Sequence, residues 1–202
     1  MSIWAKKIFL IVSLGLIFIS SAQAAIVSYN FTADRIFVIG TPTSGSLAET
    51  AASFATISGT ISYDTATPNV GVFGFGSYST GSLLFDQFGL PGGGSYSTTT
   101  ANNLFGYDGL SLTYGLSSER LTVNASFIDS TRTLLSSAAL PLFLSLTDPF
   151  ASIIISQGRR RDRSTVSFNL TSLSAVPLPG ALPMLLGTLA GATFLRRRRK
   201  QP

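Results

Sequence analysis

The sequence predicts an all-β fold, an antiparallel two-sheet sandwich of jelly-roll type. Three observations carry that prediction. Apolar residues alternate with Ser and Thr in short runs, turn residues punctuate the runs, and no stretch of the central region keeps a helical period for a dozen residues. In "FATISGTISY" (54–63), Ile57, Gly59, Ile61 and Tyr63 share one face. "RLTVNASFID" (120–129) aligns Leu121, Val123, Ala125 and Phe127, and "STVSFNL" (164–170) aligns Val166, Phe168 and Leu170. A strand displays alternate side chains on opposite faces, so each run reads as a half-buried strand.

Turn signals fall between them, at "YDTATPN" (63–69), "GLPGGGS" (89–95), "YDG" (107–109) and "SQGRRRDRS" (156–164). The Gly/Ser/Thr-rich regions 40–52 and 89–103 read as long surface loops, and 131–146 as the start of a short helix that Pro141 breaks. Leu173, Ser174 and Ala175 read as a linker. The spacing leaves room for about nine or ten short strands in one domain spanning 25–173.

The two ends differ from this domain. Residues 1–24 place Lys6 and Lys7 before an apolar run from Ile8 to Ile19, which small residues follow. That order is a secretory signal, with Ala22 and Ala24 at the positions a signal peptidase accommodates and the mature chain starting at Ala25. Signal peptidase and the Sec machinery are therefore expected partners. Residues 174–202 begin with Val176, Pro177, Leu178, Pro179 and Gly180, continue as an apolar run over about 182–195, and end in Arg196, Arg197, Arg198, Arg199 and Lys200. Cations flanking a span stay cytoplasmic, so the precursor is oriented N-terminus out. The run is about 20 Å long as a helix against a hydrocarbon core of about 30 Å, a marginal span suited to transient residence in the inner membrane.

This tail resembles the PEP-CTERM sorting signals of Gram-negative bacteria, and most closely the VPLPA-CTERM variant. Motif, apolar helix and terminal arginines occur in the family's order; Gly180 stands where the variant has Ala, and Leu178 where the parent motif has Glu. The resemblance implies that an exosortase, an integral-membrane protease, recognises the motif and removes the tail. It also implies a product at the cell surface or in the extracellular, exopolysaccharide-rich matrix of a biofilm. "SGTISYDTATPN" (58–69) is similar to a strand and turn found in many ectodomains of this family.

Composition narrows the chemistry. Two of the 14 cations lie in the signal and five in the terminal cluster, leaving seven against nine anions over residues 25–195, a net charge of −2. Such a domain is not expected to bind nucleic acid. The chain has no Cys and no His, which removes Ser–His–Asp and Cys–His catalysis and the commonest zinc ligands. Neither an enzymatic activity nor a cofactor or metal is expected. "GRRRDR" (158–163) is the basic cluster of the central domain, with Arg159, Arg160, Arg161 and Arg163 as candidate contacts for an acidic polysaccharide. The expected function is that of a non-catalytic surface or matrix protein. An exposed row of aromatics over a sheet would favour instead a carbohydrate-binding module or adhesin with a specific glycan. Two carboxylates facing each other about 5–10 Å apart would favour a glycosidase.

Overall fold

The computed structural model describes residues 26–176, apart from 72–74, 105–106, 136, 145, 147–149 and 160. Its strands are β1 (Ile26–Ile39), β2 (Thr56–Asp64), β3 (Phe75–Tyr78), β4 (Ser82–Phe85), β5 (Ser95–Leu104), β6 (Tyr107–Leu116), β7 (Leu121–Asp129), β8 (Phe150–Gln157) and β9 (Ser164–Ala175). One helix, α1 (Leu47–Ser53), lies between β1 and β2. The all-β antiparallel class is as expected; the two-sheet sandwich is not. Hydrogen bonds join all nine strands into a single sheet, in the order β3-β5-β6-β7-β8-β9-β1-β2-β4.

The sheet curls until its edges meet through the chain itself. The two edge strands, β3 and β4, are consecutive and separated only by Ser79, Thr80 and Gly81. Residues 75–78 bond to β5 and residues 82–85 to β2, so one stretch of chain serves as a single stave with its two halves paired to opposite neighbours. Thr80 fixes the joint. Its carbonyl accepts the Thr98 hydroxyl at 2.7 Å, and its own hydroxyl accepts the Asp64 amide at 3.0 Å. Gly81, at φ +136°, allows the change of partner, a backbone angle that side chains resist. Counted this way, eight staves alternate in direction around a meander, a size at which side chains just fill the interior.

Period-two alternation explains what fills it. Phe31, Ile57, Ile61, Leu83, Leu112, Val123, Phe127, Ile153, Ile155, Val166 and Phe168 point inward and are buried. Phe31 meets Phe85 edge-on at 5.8 Å between ring centres, and Phe85 stacks on Phe88 at 4.6 Å. The intervening residues face out: Asn30, Thr60, Thr99, Ser111, Thr113, Ser126 and Asn169 are partly or fully exposed. The Ser/Thr richness of the chain is thus largely the outer surface. Apolar inside and hydroxyl outside is the reverse of a membrane-spanning barrel. Among the described residues, no helix is long and apolar enough to cross a membrane.

The ends of the barrel are closed differently. At one end lies α1, with Ala48 and Ala51 fully buried. The region 40–52 was expected to be loop, yet Ser46 caps the helix by accepting the Glu49 amide at 3.1 Å, and Glu49 returns to accept the Gly45 amide at 2.6 Å. At the other end the described residues of 130–146 plug the opening. This segment is irregular where described, rather than a broken helix, and inward-facing polar groups from several strands hold it. The Tyr63 hydroxyl donates to the Pro141 carbonyl (2.8 Å) and the Tyr78 hydroxyl to the Ala138 carbonyl (2.6 Å). The Tyr29 hydroxyl accepts the Leu144 amide at 2.7 Å and donates to the Leu142 carbonyl at 3.2 Å. Leu135, Leu140 and Leu144 fill the space beneath. Burial pushes the Tyr29 and Tyr63 hydroxyls up from their ordinary pKa, so both remain donors.

Two further expectations are corrected. Residues 95–103 belong to β5 rather than to a loop, because Thr98 and Thr100 can turn inward with their hydroxyls bonded to the Thr80 and Ala138 carbonyls. Tyr107, Asp108 and Gly109 open β6 and are not a turn.

Candidate functional site

β9 runs through Ala175, so the expected linker 173–175 is strand, paired with β1 from Phe31 to Tyr29. The Val176 amide donates to the Ser28 carbonyl at 2.8 Å. Pro177 has no N–H to continue the ladder. Pro177, Leu178, Pro179 and Gly180 lie outside the described residues, as do the apolar run 182–195, the cluster Arg196, Arg197, Arg198, Arg199 and Lys200, and the signal with Ala22, Ala24 and Ala25.

The arginine cluster occupies the tip between β8 and β9, at the α1 end of the barrel and so opposite the plug. A turn closes it, with the Asp162 amide donating to the Arg159 carbonyl at 2.9 Å. Arg159, Arg161 and Arg163 are exposed; Arg160 lies outside the described residues. Arg163 lines a hollow of about 470 Å³ together with Arg120, Ser117, Thr122 and Gly158. Arg120 escaped the sequence reading because it stands alone. It reaches the hollow from the β6–β7 turn, where its φ of +52° places it in the left-handed region. Two arginines lining one hollow supply the charge and the donors that suit a carboxylate or sulfate.

The carboxylates have structural work. Asp108 and Asp129 are direct cross-strand partners, both buried, at the plug end. Burial works against the charge on Asp129, but hydrogen bonds from Thr131 and Thr133 outweigh it and hold the carboxyl well below the usual range. Asp34 accepts the Thr56 hydroxyl (2.7 Å), Asp86 the Ser58 hydroxyl (2.5 Å), and Asp64 forms a turn by accepting the Ala66 amide (2.9 Å). Among the described residues no three acidic, His or Cys side chains gather at a metal-sized site.

The outer wall carries a shallow trough of about 190 Å³. Phe75, Ala101, Gly109 and Ile128 form one cross-strand row, so two small residues lie between two large ones. Tyr107 borders the trough, and Thr99, Ser111 and Ser126 line it with hydroxyls. Neither Phe75 nor Tyr107 stood out in the sequence, since only the register across four strands brings them together. Compared with protein-family models, curated proteins and solved structures, the chain matches none.

Proposed function

We propose that this chain is an exported, non-catalytic cell-surface or matrix protein whose C-terminal tail is removed by an exosortase-type membrane protease. The signal peptide directs it to the Sec machinery and signal peptidase, and the tail holds the precursor in the inner membrane with its N-terminus periplasmic. The mature domain then acts at the cell surface or outside the cell. One observation supports this most: Val176, the first residue of the motif, lies directly after β9 and donates its amide to the Ser28 carbonyl of β1. Pro177 follows that bond directly in the sequence, so the motif begins beside the sheet. Two prolines keep that segment out of a helix. The commitment of Asp108 and Asp129 to main-chain amides supports a role without catalysis. A pulse-chase of the Pro177→Ala, Pro179→Ala double variant tests the reading. The variant should stay membrane-bound at precursor mass; maturation at the wild-type rate would refute the motif's role.

A second reading, a glycan-binding module, draws on the trough. Phe75 and Tyr107 are partly exposed aromatic residues beside a row of hydroxyls, the side-chain types that pack on and hydrogen-bond to sugar rings. Changing both to Ala should abolish any glycan-array signal while leaving tail processing intact. A signal that persists would place the glycan elsewhere.

A further inference from the structure

Exposed apolar side chains gather at the plug end, where the chain leaves the barrel. Phe143 is 81% exposed, Phe150 77%, and Leu142 and Ile26 57% each. Tyr29 ties these positions to the exit of the tail. It pairs with Ala175 in the sheet, while its hydroxyl bonds to Leu142 and Leu144 on either side of Phe143. From Val176 to the apolar run at 182 is six residues, which span about 20 Å at most when fully extended. A tail inserted from 182 onward therefore holds this end of the barrel close to the bilayer. The arginines of the β8–β9 tip lie at the far end. A second exposed apolar run, Ile36 to Ile39, lies near that far end, and nothing in the structure shows what covers it.

We propose that the plug end is a membrane-facing surface, with Phe143, Leu142, Phe150 and Ile26 seated in the lipid interface while the tail is attached. This rests on the sorting reading above. Side chains of this kind bury about 5–10 Å into the boundary between headgroups and acyl chains. The contact orients the precursor. It brings the motif at 176–180 to the depth of a membrane protease and turns the arginine tip outward.

The test uses the exported chain after signal cleavage, residues 25–202, isolated with its tail attached (checked by intact mass) in phosphatidylcholine–phosphatidylglycerol vesicles; this chain has no native Trp. Single tryptophans are introduced as Phe143→Trp, Phe37→Trp and Leu186→Trp, and quenching by brominated acyl chains is measured for each. Leu186→Trp reports insertion of the tail. Phe37→Trp lies eight residues along β1 from Tyr29, about 26 Å toward the far end. The inference expects Phe143→Trp to reach at least about half the quenching of Leu186→Trp, as an interfacial side chain should, with Phe37→Trp unquenched. Strong Leu186→Trp quenching with none at Phe143→Trp overturns the inference and spares the sorting reading, even if Phe143→Trp is shielded from aqueous acrylamide. That last pattern would mean that the tail or a second copy covers the plug. Equal quenching at Phe37→Trp would mean indiscriminate adsorption and also overturns it. If Leu186→Trp is itself unquenched, the sorting reading and this inference fall together.

Discussion

Asp108 and Asp129 stand directly opposite each other on β6 and β7, both buried, and each carboxylate is held by the plug. Asp129 accepts the amides of Thr131, Thr133 and Leu134, each at 2.8 Å, and the two threonine hydroxyls. Asp108 accepts the Leu135 amide at 3.0 Å. A juxtaposition that in an open cleft would suggest glycoside chemistry is here the clamp on a loop. Amide and hydroxyl donors around Asp129 favour its charged form.

That clamp predicts acid sensitivity. The folded pKa of Asp129 is depressed, so its stabilisation is complete above the unfolded value of about 3.9 and is lost as pH falls through the folded value. Asp129→Asn should lose about 2–3 kcal/mol at neutral pH, the scale of a hydrogen bond to a charged group. It should also flatten the fall of the urea midpoint between pH 6 and pH 2.5. An unchanged acid slope would show that Asp129 is not the titrating group.

Tyr63→Phe removes the donor to the Pro141 carbonyl and leaves a half-buried oxygen without that partner. A loss of about 1 kcal/mol is expected. The effect should be local: protease nicking within 137–146 should accelerate while amide exchange in β7 and β8 stays the same.

Gly59→Ala tests the closure of the barrel. A Cβ there would come 1.9 Å from the Leu84 carbonyl oxygen and 3.0 Å from the Phe31 ring, so β4 could not stay in register with β2. Overpacking of this kind costs about 1–3 kcal/mol. Thermal unfolding and the exchange rates of the 82–85 amides would measure it; a neutral substitution would contradict the close approach of β4.

The strands were legible in the sequence because burial on one face forces alternation, as at Ile57, Ile61 and Tyr63. The topology was not. Whether two edges separate into sheets or meet depends on Thr80, whose partners Asp64 and Thr98 lie 16 and 18 residues away. The helix at 47–53 left a signal in Ser46 and Glu49, a short capping box amid residues that read as loop. The plug has no periodicity to read, because side chains hold its described backbone: tyrosines on distant strands, Asp108 on β6, and Asp129 at the end of the strand just before it. At the candidate sites, the arginine tip was legible as a charge run, whereas Arg120 and the Phe75–Tyr107 trough exist only through register.

The paired arginines give a fourth expectation. Arg120→Ser with Arg163→Ser should weaken retention on an acidic exopolysaccharide, and wild-type retention should itself fall between 0.1 M and 1 M salt, where the Debye length drops from about 10 Å to 3 Å. Retention unaffected by both changes would leave the hollow at 115–122 without an anion-binding role.

Export, on the proposed function, cuts the chain at both ends and leaves the mature domain at the cell surface or outside the cell. Intact-mass measurement of the protein recovered outside the cell decides whether both cuts occur. The expected mass is that of a chain starting at Ala25 and ending at or just after the motif 176–180, without the apolar run and without Arg196 to Lys200. Released protein that still carries residues 182–202 would contradict it.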